Sequence, residues 1–431
     1  MKTYIYFLVL LFSVLGCQQA DLSNKFVQVK DGSFLLNNKP YHFKGANYWQ
    51  GMNLGAPKSG NQARLIRELD QMKAMGITNL RVLAASEADS SMRFAIHPAL
   101  QTAPGVYNKD IWQGLDFLLE EMSKRDMKAV MVLGNFWTWS GGFPQYLKWA
   151  EDSTIPYPQE EAHSWDDFQR FSAEFYSSAK AQDMMNNHIQ KVIMRVNSIS
   201  GISYKNDPTI MAWQLANEPR GFNVPDKFRK WTRKTSEYIK SLDQNHLVCL
   251  GTEGNTSSKV AGVNALLDNG DPNIDYITMH IWAQNWGWFK PGDGEKVFEE
   301  TLEKVDAYWN DHIKVAKQLN KPIVLEEFGI ARDRSSYLPT TTTFWRDRYF
   351  SFLLKKVQKS IYNHEPVQGF NFWSYSGEGR PPRPGEYWKK GDVILGDPAH
   401  ELQGWYGVYD TDSTTIGMIK ELDLRILSNK K

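Results

Sequence analysis

Eight short apolar runs recur along the 431-residue chain, with stretches of helical apolar spacing between them. The runs are 41–48 (YHFKGANY), 78–84 (TNLRVLA), 128–134 (KAVMVLG), 210–215 (IMAWQL), 246–251 (HLVCLG), 276–281 (YITMHI), 322–326 (PIVLE) and 367–373 (VQGFNFW). Helices are predicted at 63–75, 111–122, 184–197, 228–242, 297–319 and 344–362, with Gly76 placed for a left-handed C-terminal cap. Strand–helix alternation implies parallel pairing through right-handed crossovers. Closed on itself, that is an α/β fold of the (β/α)8 (TIM) barrel type with long strand-to-helix loops. An open doubly wound sheet would carry a Gly-rich phosphate turn after an early strand, and "FKGANYWQG" is not one. The segment 26–43, with "KDGS" as a turn, reads as a hairpin closing the barrel floor.

The hydrophobic fraction of 42% supplies a sizeable core, and no Pro/Gly/Ser-rich linker divides it. A net charge of +1 argues against a nucleic-acid partner. The 16 Trp are many, and indole faces stack on the C–H faces of sugars as well as in cores.

"MKTYIYFLVLLFSVLGC" has a basic residue, an apolar stretch and a small-residue end, too short to span a bilayer. "SVLGC" resembles the lipobox of bacterial lipoproteins. That resemblance implies cleavage before Cys17, lipidation of Cys17, and export to the outer membrane or cell surface; free secretion is the alternative. The expected division is 1–17 signal peptide, 18–25 polar tether, and 26–431 barrel domain, with the lipid as the only membrane contact and a monomer in solution. The second cysteine, Cys249, lies in an apolar run and reads as a buried thiol, leaving no disulfide.

In a barrel, chemistry sits in the loops beyond the strand C-termini. Those positions hold Arg81 on the second strand, Asn135 and Trp137 after the third, and Asn217 and Glu218 after the fourth. The sixth delivers His280 and Trp282, the seventh Glu327, the eighth Trp373. Pro219 is expected to bias Glu218 toward extended backbone. Strands four and seven lie on opposite walls, so Glu218 and Glu327 face each other across the mouth. Two carboxylates flanking a sugar bond, one protonated and one ionised, are the minimum for glycoside hydrolysis. Arg81 would keep one of them ionised, His280 would orient either, and Trp373 would floor the sugar.

"WQLANEPRG", "LEEFG", Arg81 and the strand-eight "FW", in order and at barrel spacing, resemble glycoside hydrolase family 5. "NEPRG", "GTEG" and "HIWAQNWGWF" look most like its endo-β-1,4-mannanases. The resemblance implies Glu218 as acid/base, Glu327 as nucleophile in a retaining double displacement, and Asn217 on the sugar 2-hydroxyl. It implies Arg81, His280, Trp282, Trp373 and Trp137 as substrate contacts and β-mannan, glucomannan or galactomannan as substrate, with no cofactor. Glu326 is the rival nucleophile; side chains alternate along a strand, and the family pattern selects the carboxylate directly before the aromatic.

Trp139, Trp286 and Trp288 are either sugar platforms or loop packing, and Glu253 either meets sugar or caps a helix. The nine His show no metal-ligand spacing, so no metal is expected. An endo-β-1,4-glucanase is the neighbouring alternative, a transglycosylase shares the same intermediate, and a non-catalytic glycan-binding lipoprotein is the alternative of another class.

Overall fold

The computed structural model describes residues 25–424. The signal segment, Cys17 and all of the tether except Lys25 lie outside the described residues. Eight parallel strands form the core: β1 (Phe43–Asn47), β2 (Asn79–Leu83), β3 (Lys128–Val132), β4 (Ile210–Gln214), β5 (Leu247–Cys249), β6 (Ile277–Ile281), β7 (Ile323–Phe328) and β8 (Val367–Phe372). Their order is β5-β4-β3-β2-β1-β8-β7-β6. A parallel bridge from Cys249 to Tyr276, just before β6, joins the two ends into a barrel. Seven of the eight strands fall inside the predicted runs; β7 continues two residues past its run, to Phe328, so that Glu327 lies within the strand.

The crossovers are α1 (Gln62–Ala74), α2 (Lys109–Ser123), α3 (Ala179–Ile193), α4 (Pro225–Leu242), α5 (Ala265–Asp268), α6 (Glu295–Leu319), α7 (Phe344–Tyr362) and α8 (Ser413–Glu421). Gly76 has the left-handed φ of 79° expected after α1. The third helix is shifted from its predicted span of 184–197. It starts earlier because the Ser178 side chain accepts from the Ala181 amide, 3.2 Å away. It stops at Ile193 because buried Asn197 turns the chain, its Oδ1 accepting from the Ile199 amide at 2.9 Å. Neither α5 nor α8 was legible: α5 is a single turn, and α8 buries only Thr415 and Ile419.

The segment before β1 forms short antiparallel strands, with Asp31 (φ 49°) and Gly32 (φ 70°) making the positive-φ turn. Its Phe34 packs edge-on against Tyr276, 5.3 Å between ring centres, and its amide donates to Gln368 Oε1 at 2.8 Å. With Phe43, Val130 and Val324 it fills the barrel floor. Cys249 is a fully buried free thiol. No helix among the described residues is long and apolar enough to cross a membrane.

The two loops that shape the mouth follow β3 (133–178) and β8 (373–412). The first carries extra helices at Gly142–Glu151 and Trp165–Ala173. They meet above the barrel: Gln159 Nε2 donates to the His400 carbonyl at 3.3 Å, and the Trp165 and His400 rings sit 6.2 Å apart.

Candidate active site

β4 is buried throughout, and beyond it the backbone stays pinned to both neighbours. The Asn217 amide donates to the Gly134 carbonyl and the Glu218 amide to the Gly251 carbonyl, each at 2.9 Å. Glu218 is not extended, as its place before Pro219 had suggested; its φ is +47°. A non-Gly residue there is strained, and more so before proline. The strand-end bonds on either side, with the Asn135–Asn217 bridge, hold it there and turn the carboxylate into the mouth.

Glu218 is met by two nitrogens. Trp137 Nε1 donates to Oε2 at 2.6 Å, and His280 Nδ1 lies 2.7 Å from Oε1. Opposite, Glu327 Oε1 is paired with Arg81 Nη1, and Trp282 Nε1 donates to Oε2 at 3.1 Å. Arg81 is fully engaged: Nε donates to Gln214 Oε1 (2.8 Å), Nη1 also to Asn47 Oδ1 (3.0 Å), and Nη2 to Asn217 Oδ1 (2.6 Å). Glu326, next to Glu327 in the strand, is fully buried and shares two of that residue's partners: it pairs with Arg81 Nε at 3.3 Å, lies 3.3 Å from His280 Nε2, and is hydrogen-bonded by Gln214.

One oxygen of Glu218, one of Glu327 and a ring nitrogen of His280 lie within 4.8 Å of one another. That spacing would admit a divalent ion, but the same atoms are already engaged with one another and with Arg81, Trp137 and Trp282. Burial alone would discharge His280, yet the charge of Glu327 and hydrogen bonds to Glu218 and Glu326 raise it to about 10. Burial raises Glu327 to about 7, with the Glu218 and Glu326 charges adding to the rise and His280 and Arg81 opposing it. Burial also works to raise Glu218, but the hydrogen bond and charge of His280 outweigh it and hold the carboxylate below its ordinary range.

The cleft around these groups measures about 740 Å3. Trp137, Trp282 and Trp373 line it, as do Trp139 and Trp286; Trp288 packs on Trp286 instead, at 4.9 Å. Trp373 is 4% exposed and meets Trp282 and Trp139 edge-on at 5.9 and 6.2 Å. Glu253 caps no helix: it pairs with Arg220 at 2.7 Å, whose guanidinium sits 5.0 Å above the Trp137 ring. Arg81, Asn217, His280 and the two glutamates are therefore brought together, and the three predicted tryptophans surround them.

Sequence reasoning missed Asn47, Gln214 and Arg220, and above all His400 and Glu401 in the loop after β8. Both of the latter line the cleft. Glu401 Oε2 is buried without a partner, and burial together with the Asp397, Glu218 and Glu327 charges raises its carboxyl well above the ordinary range. Burial lowers His400 to about 3, so its ring is neutral. "DPAHELQGW" carries no periodicity that could have marked them.

A carboxylate pair across the mouth of a barrel, walled by indoles, makes this protein a glycoside hydrolase. A family model described as GH family 5 beta-mannosidase-like matches residues 24–431. The chain belongs to glycoside hydrolase family 5. It is 31% identical to mannan endo-1,4-beta-mannosidase 4 of Solanum lycopersicum, over 83% of this chain and 85% of that one. Mannan endo-1,4-beta-mannosidase 7 of Arabidopsis thaliana is also 31% identical, over 81% and 78%. Among solved structures, a glycoside hydrolase family 5 mannosidase from Rhizomucor miehei superposes with a TM-score of 0.86 at 40% identity, covering 93% of this chain and 97% of that one. A mutant of that mannosidase in complex with mannosyl-fructose superposes with a TM-score of 0.85 at 39% identity, over 93% and 97%.

Proposed function

We propose that the protein hydrolyses β-1,4-mannosidic bonds of mannan-type saccharides with retention, Glu327 acting as nucleophile and Glu218 as acid/base. The observation that carries this is the spacing: an oxygen of each glutamate lies within 4.8 Å of the other. Retaining pairs stand about 5–5.5 Å apart, and inverting pairs about 6.5–9.5 Å. Arg81 and Trp282 aim Glu327 at the anomeric carbon. The acid form of Glu218 arises when the proton on His280 Nδ1 moves to Glu218 Oε1 along their 2.7 Å contact, leaving a neutral imidazole. Glu218 then protonates the leaving oxygen, and the sugar becomes bonded to Glu327. Glu218 next takes a proton from water as the glycosyl-enzyme is opened. Asn217 meets the 2-hydroxyl. Proton NMR of the first product, before mutarotation, tests this reading: β-mannose supports it, and an α-anomer overturns it.

The mode of attack has two readings. The names of the tomato and Arabidopsis relatives favour internal cleavage, which needs a cleft open at both ends. The bridge from Gln159 and Trp165 to His400 favours attack at chain ends, and it is the reading the geometry supports better. Substrate class rests on the same relatives and on the mannosyl-fructose complex of the Rhizomucor enzyme. Export with a lipid on Cys17 and a monomeric state belong to this proposal on sequence grounds. Fatty-acid labelling lost in Cys17→Ser would support the anchor.

A further inference from the structure

Glu326 stands beside Glu327 in β7, and its contacts give it a use of its own. We infer that Glu326 is a positioning residue, fixing the tautomer of His280 so that the ring exchanges its proton through Nδ1, the nitrogen 2.7 Å from Glu218 Oε1 and 3.3 Å from Glu327 Oε2. The inference rests on Glu218 being the acid/base, as proposed above.

An ionised carboxylate only accepts hydrogen bonds. Glu326 has three polar side-chain partners. Gln214 Nε2 reaches its two oxygens at 2.8 and 2.7 Å, and Arg81 Nε stands 3.3 Å from Oε2. The third is His280 Nε2, 3.3 Å from Oε2. The first two are unconditional donors, and the orientation of the Gln214 amide is set because its Oε1 accepts from Arg81 Nε at 2.8 Å. His280 must therefore present Nε2–H to Glu326 in both its neutral and its charged form. Its Nδ1 then bears hydrogen only when the ring is charged. Neutral, Nδ1 is an acceptor 2.7 Å from Glu218 Oε1, matched to a protonated Glu218; charged, it is a donor matched to the carboxylate. Without Glu326 the neutral ring could carry its hydrogen on Nδ1, where a protonated Glu218 would face donor against donor.

The other charged and titratable groups around the cluster come from each neighbouring strand. Arg81 stands on β2, Glu327 beside Glu326 on β7, and Cys249 on β5 with Tyr276 leading into β6. The Cys249 thiol and the Tyr276 hydroxyl are both pushed up, by burial first, and stay neutral. The Glu326 carboxylate itself is held below its ordinary range: burial works against this, and Arg81, His280 and Gln214 overcome it. It remains an acceptor while the catalytic pair cycles.

The experiment compares two substrates of the full chain and its Glu326→Gln variant. One is an aryl β-mannoside with a dinitrophenol leaving group, which departs without protonation; the other is mannobiose, whose leaving oxygen needs an acid. General acid catalysis contributes about 10²–10⁴-fold. Glu326→Gln is expected to lose about 30-fold in kcat/KM on mannobiose and less than about threefold on the dinitrophenyl mannoside, part of that acid contribution. The basic limb of its mannobiose pH profile is expected to shift. Equal losses on both substrates, or none on either, would overturn the inference.

Nitrogen-15 spectroscopy of histidine in the wild-type protein needs no variant to fold. Above the His280 titration, hydrogen on Nε2 and a bare Nδ1 are expected, and the opposite tautomer overturns the assignment. Failure of the underlying reading looks different: Glu218→Ala would then slow both substrates equally, and azide would not restore turnover of the dinitrophenyl mannoside.

Discussion

Trp137 Nε1 lies 2.6 Å from Glu218 Oε2, so a loop that leaves the third strand grips the carboxylate delivered by the fourth. The same indole stacks on Phe168 at 5.7 Å and lies under Arg220. Trp137→Phe keeps much of that stacking and deletes the donor. A hydrogen bond to a charged group is worth about 1.5–3 kcal/mol, so kcat should fall about 10- to 100-fold. Because the lost donor favoured the ionised form, Glu218 should hold its proton to higher pH. The basic limb of kcat/KM against pH is expected to move upward, and a downward shift would contradict the role given to Trp137.

Arg81 is the hub of the site, joining Glu327, Glu326, Asn217, Gln214 and Asn47. Arg81→Met removes the charge while leaving comparable apolar bulk. Breaking a buried ion pair by deleting one partner costs about 3–5 kcal/mol. Urea unfolding at pH 7 should show a loss of that order, with activity abolished. A variant as stable as wild type would mean that the guanidinium is not what offsets the buried carboxylates.

Stability should fall with rising pH in two stages. His280, raised to about 10 from 6.5, contributes stability that is complete below pH 6.5 and lost as pH climbs through 10. Glu327, raised to about 7 from 4.5, contributes in the same sense, with its share complete below pH 4.5 and lost as pH rises through 7. Thermal unfolding at pH 5, 8 and 10 should give successively lower midpoints. Glu327→Gln should flatten the first stage and, by removing a charge that keeps His280 protonated, bring the second to lower pH. A midpoint that rises from pH 5 to 8, beyond what surface carboxylates supply, would contradict the direction given to Glu327.

The parts of this site that were legible in the sequence are those the barrel places by rule. A polar residue ending a buried run must face the mouth, which is why Arg81, Asn217, His280 and Glu327 stood out beside their apolar neighbours. The family pattern chose Glu327 over Glu326, but could not tell what Glu326 touches, because its partners come from β2, β4 and β6. The backbone of Glu218 could not be read either. Pro219 is a local signal, and it is overridden by bonds from Gly134 and Gly251, residues far along the chain. His400 and Glu401 sit on a loop whose path is fixed by Asp397, which accepts from the amides of Gly404, Tyr406 and Gly407. A loop held by its own backbone leaves no periodic trace.

Glu401 offers the sharpest test of chain-end attack. Its carboxyl, kept neutral by burial and by the nearby Asp397, Glu218 and Glu327 charges, has an oxygen with no partner beside the catalytic pair. An unmet polar group there costs free energy that a sugar hydroxyl would recover. Glu401→Ala should therefore lose about 2- to 10-fold in kcat/KM on mannobiose, as expected for one hydrogen bond between neutral groups, about 0.5–1.5 kcal/mol. Wild type should release mannose first from mannohexaose and lower galactomannan viscosity slowly relative to the reducing ends it makes. Rapid loss of viscosity with di- and trisaccharides as first products would show that the bridge at His400 leaves the cleft open, and that internal cleavage is the true mode.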